Sequence, residues 1–267
     1  MILPASYANG FAPRDGRPLY PELWRGCVFA AAPCLGPTGL TLRDWSGFGN
    51  HGVLTNGPTW GIASGRQALS FDGTNDYVLV SHNTAYNTTA ITISAWVMVR
   101  NYPAIAAQIV SKGNVDGVSF PFEFDLGSAG KPRFYQSQSG GLATAIVAAS
   151  AISKNVWHHV VAVNNTNVAS IFVDGIQDGT DATPATIATV ETTAIGIGSD
   201  GTGSHYFLDG NICDVRIYNR GLSTQEIRLL ANRTGIAYEM APRRRSSSAV
   251  PVTSYSTFRP SVLRGSR

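Results

Sequence analysis

LDGNICDVRIYNRGLSTQEI, residues Leu208 to Ile227, joins the two signals on which the fold turns. Its first half reads as a strand. Cys213, Val215 and Ile217 alternate with Asp214, Arg216 and Tyr218, the period of two that sends successive side chains to opposite faces of a sheet. Its second half reads as a helix start. Ser223-Thr-Gln-Glu226 is a capping box, Leu222 and Ile227 are spaced as a hydrophobic staple, and Gly235 stands just past an expected end near Asn232. Ile227, Leu229 and Leu230 are expected to cover an open end of a sheet.

Upstream, the period of two recurs. In Ile91–Val99 the residues Ile91, Ile93, Ala95, Val97 and Val99 face one way and Thr92, Ser94, Trp96 and Met98 the other. Phe122, Phe124 and Leu126 alternate with Glu123 and Asp125, and Trp157, His159, Val161 and Val163 with His158, Val160 and Ala162. Asp174-Gly175 is a hairpin signal, because a type I′ turn needs positive φ at both central residues. The chain has 267 residues, 43% hydrophobic and 14% charged, with 28 Gly and 14 Pro, which suits many short strands joined by turns. Short antiparallel strands of this kind close into a β-sandwich jelly roll.

Between Asp44 and Arg220 a series of motifs runs in fixed order: DWSGFGNHG from Asp44, ALSFDGTNDYV from Ala68, ITISAWV from Ile91, WHHVVAV from Trp157, IFVDGIQDG from Ile171, IGIGSD from Ile195, and the stretch from Leu208. As a set they resemble the laminin-G-like, concanavalin A-like domain of bacterial and phage proteins. The resemblance implies an all-β, antiparallel concanavalin A-like sandwich with one short C-terminal helix and extended terminal arms. We expect an N-terminal arm with a possible first strand at 1–40, the sandwich at 41–239, and a basic extended tail at 240–267. The first strand is expected within Trp24 to Ala32.

Charge is segregated along the chain. Residues 1–239 hold 14 Lys and Arg against all 17 acids, net −3, while 240–267 hold six Arg and no acid, net +6. No apolar run is long enough to span a membrane as a helix. The opening, MILPASYANGFAPRDGRP, lacks a basic start and an apolar core, so no export signal is expected. Cys27, Cys34 and Cys213 are too few for a disulfide framework. They read as buried thiols, with a Cys27–Cys34 pairing as the alternative.

The catalytic patterns fall short. Glycoside hydrolases of the laminarinase type carry Glu-x-Asp-x-x-Glu on one strand, and Glu123-Phe-Asp125 supplies its first two carboxylates. Gly127 and Ser128 stand where the acid/base Glu belongs, and a retaining glycosidase needs two carboxyls flanking the bond. The pair is expected on a solvated strand face. His158 and His159 point to opposite faces and cannot share an ion. No nucleophile elbow, phosphate loop or dinucleotide fingerprint occurs. We expect a protein that is not an enzyme.

Laminin-G-like sandwiches often hold a structural Ca²⁺ at the rim, and calcium takes six to eight oxygen ligands. The resemblance points to Asp44 and Asn50 in one loop and Asp72 and Asp76 in another, with Asp209 and Asn211 as a third position. Asx-turn chemistry explains the same loops without an ion. Glycans are gripped by aromatic faces with polar groups nearby, and the candidates are Trp60, Tyr102, Tyr135 and Tyr206. In the tail, Arg243, Arg244 and Arg245 with Tyr255 and Phe258 suit docking on a partner subunit or larger particle rather than sequence-specific nucleic-acid reading.

The expected function is a non-catalytic lectin-like module that binds a glycan or protein surface. It would be displayed on a phage or virus-like particle as a decoration, fibre or tail protein, docked as a homo-oligomer or on a larger particle through its arms. The alternative is a secreted or cell-surface Ca²⁺-dependent carbohydrate-binding module. The expected location is a virion surface or the extracellular space.

Overall fold

A computed structural model describes residues 20–113, 120–136, 144–181, 187 and 192–232. The tail residues Arg243, Arg244, Arg245, Tyr255 and Phe258 lie outside the described residues. In chain order the strands are β1 (Cys27–Ala31), β2 (Thr41–Leu42), β3 (Gly52–Thr55), β4 (Thr59–Ala63), β5 (Arg66–Asp72), β6 (Tyr77–Val80), β7 (Ile91–Val99), β8 (Ala106–Lys112), β9 (Phe122–Gly127), β10 (Pro132–Gln136), β11 (Thr144–Val147), β12 (His158–Asn164), β13 (Ala169–Val173), β14 (Ile176–Asp181), β15 (Ile195–Ile197) and β16 (Asp209–Tyr218). One helix, α1 (Thr224–Ala231), follows the last strand.

These strands form two antiparallel sheets, and the fold is the expected β-sandwich. One sheet runs β14-β13-β12-β7-β16-β5-β4, with β1 also paired to β16; the other runs β11-β10-β9-β8-β15-β6-β3-β2. The strand expected within Trp24 to Ala32 is β1. Between the sheets lies one continuous core that includes Phe29, Phe71, Ile93, Val97, Ile109, Phe122, Phe124, Phe134 and Val160. Each such side chain withdrawn from water contributes roughly 1.5–3 kcal/mol.

The first sheet is apolar on its other face as well. Val161, Val163, Phe172 and Tyr218, which alternate with core residues, pack against Leu23 and Trp24 from the N-terminal side and Ile227 and Leu230 from α1. Every residue of β7 is buried, polar positions included: Thr92 bonds the Arg220 carbonyl and the Leu222 N–H, Ser94 pairs with His159, and Trp96 packs with Ala68 and Cys213. The helix is capped as expected: Ser223 Oγ accepts from the Glu226 N–H, and the Glu226 carboxylate accepts from the Ser223 N–H at 2.8 Å. Asp174 and Gly175 take φ of 51° and 79° in a two-residue hairpin between β13 and β14.

β16 departs from its sequence pattern. Ile212, Val215 and Ile217 face the core, whereas Cys213 packs with Ala68 and Trp96 on the opposite face. A bulge between Cys213 and Arg216, with Asp214 at φ 57°, resets the alternation by one residue. Cys27 and Cys213 are buried. Cys27 Sγ donates to the Phe29 carbonyl at 3.3 Å, and burial pushes its pKa up to about 12, so it is held as the neutral thiol.

Candidate functional site

The outer face of β8, β9 and β10 carries a polar cluster. Phe122, Phe124 and Leu126 of β9 point into the core, so Glu123 and Asp125 point outward. Their expected solvation is overturned: Glu123 is only 7% exposed and Asp125 2%. Register places their partners. Asp125 lies opposite Arg133 and Glu123 opposite Tyr135 across the β9–β10 hairpin; on β8, Gln108 faces Asp125 and Ser111 faces Glu123.

Asp125 and Arg133 form a two-point ion pair, with Nε and Nη2 each 2.8 Å from a carboxylate oxygen. Burial raises the Asp125 pKa even against the attraction of Arg133. The Arg133 side chain also lies over Gly127, where a Cβ would meet its Nε at 3.0 Å. A guanidinium therefore fills the space beside the position at which the laminarinase pattern places a carboxylate.

Glu123 is bound at one oxygen only. Its Oε2 accepts from Gln108 Nε2 at 3.4 Å, while Oε1 is buried without a hydrogen-bond partner. Gln108 Oε1 and Ser111 Oγ are likewise buried and unpartnered, on residues 1% and 0% exposed. Burial, helped by the charges of Asp125 and Asp200, pushes the Glu123 pKa up to about 7. Unmet polar atoms inside a protein each cost about 1–3 kcal/mol, so three on one face carry a cost that added hydrogen-bond partners would remove.

A loop brings in Asp200. The chain leaves β15 at Gly198, whose N–H bonds the Ile109 carbonyl, and returns to β8 at Tyr206, whose carbonyl accepts from the Gln108 N–H at 2.8 Å. Between these points it folds back over β15. Gly196 permits this, since a Cβ there would sit 2.1 Å from the Asp200 carbonyl oxygen. Asp200 is fully buried and organises the loop, accepting from Ser204 N–H and Thr202 Oγ1, with His205 Nδ1 at 3.4 Å. Arg133 and Tyr135 on β10 and His205 and Tyr206 in this loop are half-buried.

The glycan-binding candidates thus separate. Tyr135 lies opposite Glu123, while Tyr206 reaches the cluster through its backbone carbonyl and sets its ring against His205. Trp60, on the edge strand of the other sheet, donates its indole N–H to the Gly39 carbonyl. Tyr102 donates to the Ile152 carbonyl, with Gly130 against one side of its ring and Lys154 Nζ 4.8 Å from the ring centre. Gln108, Ser111, Arg133 and Asp200 escape a reading by single motifs. The hairpin spacing of Glu123-Phe-Asp125 and Arg133-Phe-Tyr135 about the Gly127–Gly130 turn is the signal that could have found the Asp125–Arg133 pair.

The calcium candidates also divide. Both oxygens of Asp44 accept hydrogen bonds, from the N–H groups of Ala30, Ser46 and Asn50 and from Ser46 Oγ. Asn50 is tied by its amide to the Val28 carbonyl and to Asn83. This ring of donors does not fit a cation. Asp72 closes an Asx turn with Thr74 and Asn75, and Asp76 accepts from the Asp72 N–H. Asp209 is committed to Arg100 and Asn101, and Asn211 is buried within β16. Among the described residues no group of three or more His, Cys, Asp or Glu is placed to hold a metal.

Several solved structures share the fold. The binding domain of Paraclostridial Mosquitocidal Protein 1 aligns with a TM-score of 0.61 and 16% identity over 79% of this chain and 52% of its own. Trypanosoma rangeli sialidase aligns at 0.60 and 16% over 82% of this chain but 34% of the sialidase. Domain 4 of AbnA, an extracellular arabinanase from Geobacillus stearothermophilus solved with arabinotriose, aligns at 0.62 and 13% over 77% of this chain and 98% of that domain. The chain therefore spans about half of the first and a third of the second. No curated protein matches it in sequence. The Laminin_G_3 model, of the concanavalin A-like lectin/glucanases superfamily, matches residues 72–228, more than half of the chain, and the protein belongs to this family.

Proposed function

We propose that the sandwich is a non-catalytic saccharide-binding module whose site is the outer face of β8–β10 around Glu123. One observation carries this reading: Glu123 Oε1, Gln108 Oε1 and Ser111 Oγ are buried, unpartnered and gathered on one sheet face beside the half-buried ring of Tyr135. Two acceptors and a hydroxyl ask for a ligand rich in O–H donors, and an aromatic ring offers the apolar face of a sugar somewhere to lie. The arabinotriose complex of the AbnA domain supports the same class of ligand. The test is calorimetric titration of oligosaccharides into the parent protein and the Tyr135→Ala and Ser111→Ala variants. Binding that weakens by about tenfold in each, with unfolding temperature little changed, supports the site. Binding unaffected by both places it elsewhere.

A second reading, glycoside hydrolysis, draws on Glu123 alone, whose raised pKa suits a general acid. It lacks a second free carboxylate: Asp125 is committed to Arg133, and positions 127 and 128 carry Gly and Ser. Hydrolysis that disappears in Glu123→Gln would establish it.

The segregated charge supports display on a larger particle, a virion among them, with the six arginines of 240–267 as the docking element. Light scattering of the full chain and of a form ending at Glu239 tests this. Loss of a defined oligomer on shortening supports it, and two monomers remove it.

A further inference from the structure

We propose that the site around Glu123 takes uncharged saccharides and rejects those bearing carboxylate or sulfate groups, with Glu123 and Asp200 as the discriminating residues. This rests on the saccharide-binding reading above and adds to it the class of sugar.

The argument is one of free charge. Proteins hold acidic sugars chiefly through the forked donors of arginine. At this face the one guanidinium among the described residues is Arg133, and its Nε and Nη2 already bond both oxygens of Asp125. That pair is neutral as a unit. What remains is acidic: Glu123, with one buried oxygen lacking a hydrogen-bond partner, and Asp200, buried within the adjoining loop. The unmet atoms of Glu123 and Gln108 are acceptors, which bond a sugar hydroxyl and repel a sugar carboxylate.

Specificity of this kind comes from built-in repulsion as much as from attraction. The groups that face Glu123 are Asp125 on its own strand, Arg133 and Tyr135 on β10, Gln108 and Ser111 on β8, and Asp200 with His205 in the loop. Protonated Glu123 loses its charge yet can still bond a hydroxyl. Rejection of acidic sugars should therefore sharpen above neutral pH and relax below it, while neutral sugars are bound throughout. The Glu123→Gln variant isolates the contribution of Glu123.

The experiment is calorimetric titration of the full chain with matched neutral and carboxylated oligosaccharides, galacto-oligosaccharides against oligogalacturonides of equal length, at mildly acidic and mildly alkaline pH. We expect the acidic series to bind at least about tenfold more weakly at the higher pH. The gap should narrow at the lower pH. In Glu123→Gln it should narrow at both, the readout being the ratio of acidic to neutral affinity within that variant. Asp200→Asn gives a second variant with the same expectation. Equal or tighter binding of the acidic series overturns the selectivity and leaves the saccharide site standing. A gap unchanged in both variants overturns the roles of Glu123 and Asp200. Binding of neither series overturns the proposed function and this inference together.

Discussion

Arg133 grips Asp125 with two parallel hydrogen bonds of 2.8 Å and in the same pose lays its side chain across Gly127. One residue thus neutralises a buried carboxylate and fills the space beside a glycine. Removing it strands Asp125 in a buried environment. Arg133→Met should destabilise the domain by about 3–5 kcal/mol, and Arg133→Met with Asp125→Leu by clearly less, because the cost lies in the unpaired charge. Urea unfolding of the two variants checks this. Equal losses would mean the ion pair is not the cause.

Glu123 predicts a pH-dependent stability. Its proton is held more tightly in the folded protein, at a pKa of about 7 against an ordinary 4.5. The stability linked to that proton is complete below the ordinary value and is lost as pH rises through about 7. Glu123→Gln carries no such proton. Its stability relative to the parent should therefore rise by on the order of 2 kcal/mol between mildly acidic and mildly alkaline pH. A flat difference across that window would show that Glu123 is solvated after all.

Gly196 is predicted to be intolerant of any side chain. A Cβ there would meet the Asp200 and Ser199 carbonyls at 2.1 and 2.5 Å, and both are backbone atoms that cannot rotate away. Gly196→Ala should cost about 1–3 kcal/mol by thermal unfolding. It should also weaken saccharide binding, since it displaces the Asp200 loop. Normal binding in a folded Gly196→Ala protein would remove that loop from the site.

Asp44 separates hydrogen bonding from calcium. Its carboxylate accepts three backbone N–H groups and one hydroxyl. Asp44→Ala should lose about 2–3 kcal/mol of stability to the same extent with calcium or with chelator. A loss confined to calcium-containing buffer would place an ion in the loop.

At α1, Ser223→Ala should cost about 1 kcal/mol by urea unfolding, through loss of the Ser223–Glu226 capping box. No change would mean that tertiary packing of Ile227 and Leu230 alone holds the helix.

The legible part of this protein was local. Period-two alternation located β7, β9 and β12, Asp174-Gly175 located a hairpin, and Ser223–Glu226 the start of α1, because each follows from the geometry of a few adjacent residues. Even so, alternation failed at β16, where a bulge at Asp214 turns Cys213 away from the core. A bulge depends on the strands alongside and leaves little trace in one strand's own sequence.

Burial and partnership were decided only by tertiary structure. Glu123 and Asp125 read as a solvated face, yet a neighbouring strand, a hairpin partner and a loop some 75 residues further along surround them. The sequence by itself determined the two-layer sandwich, since patterning states which face of each strand seeks apolar company. Which polar groups lost their water, and which were left without a partner, depended on contacts between Gln108, Ser111, Glu123, Arg133 and Asp200. Those residues meet only when β8, β9 and β10 pair and the loop after β15 folds back beside them, and desolvation is a property of that assembled environment rather than of any residue in it.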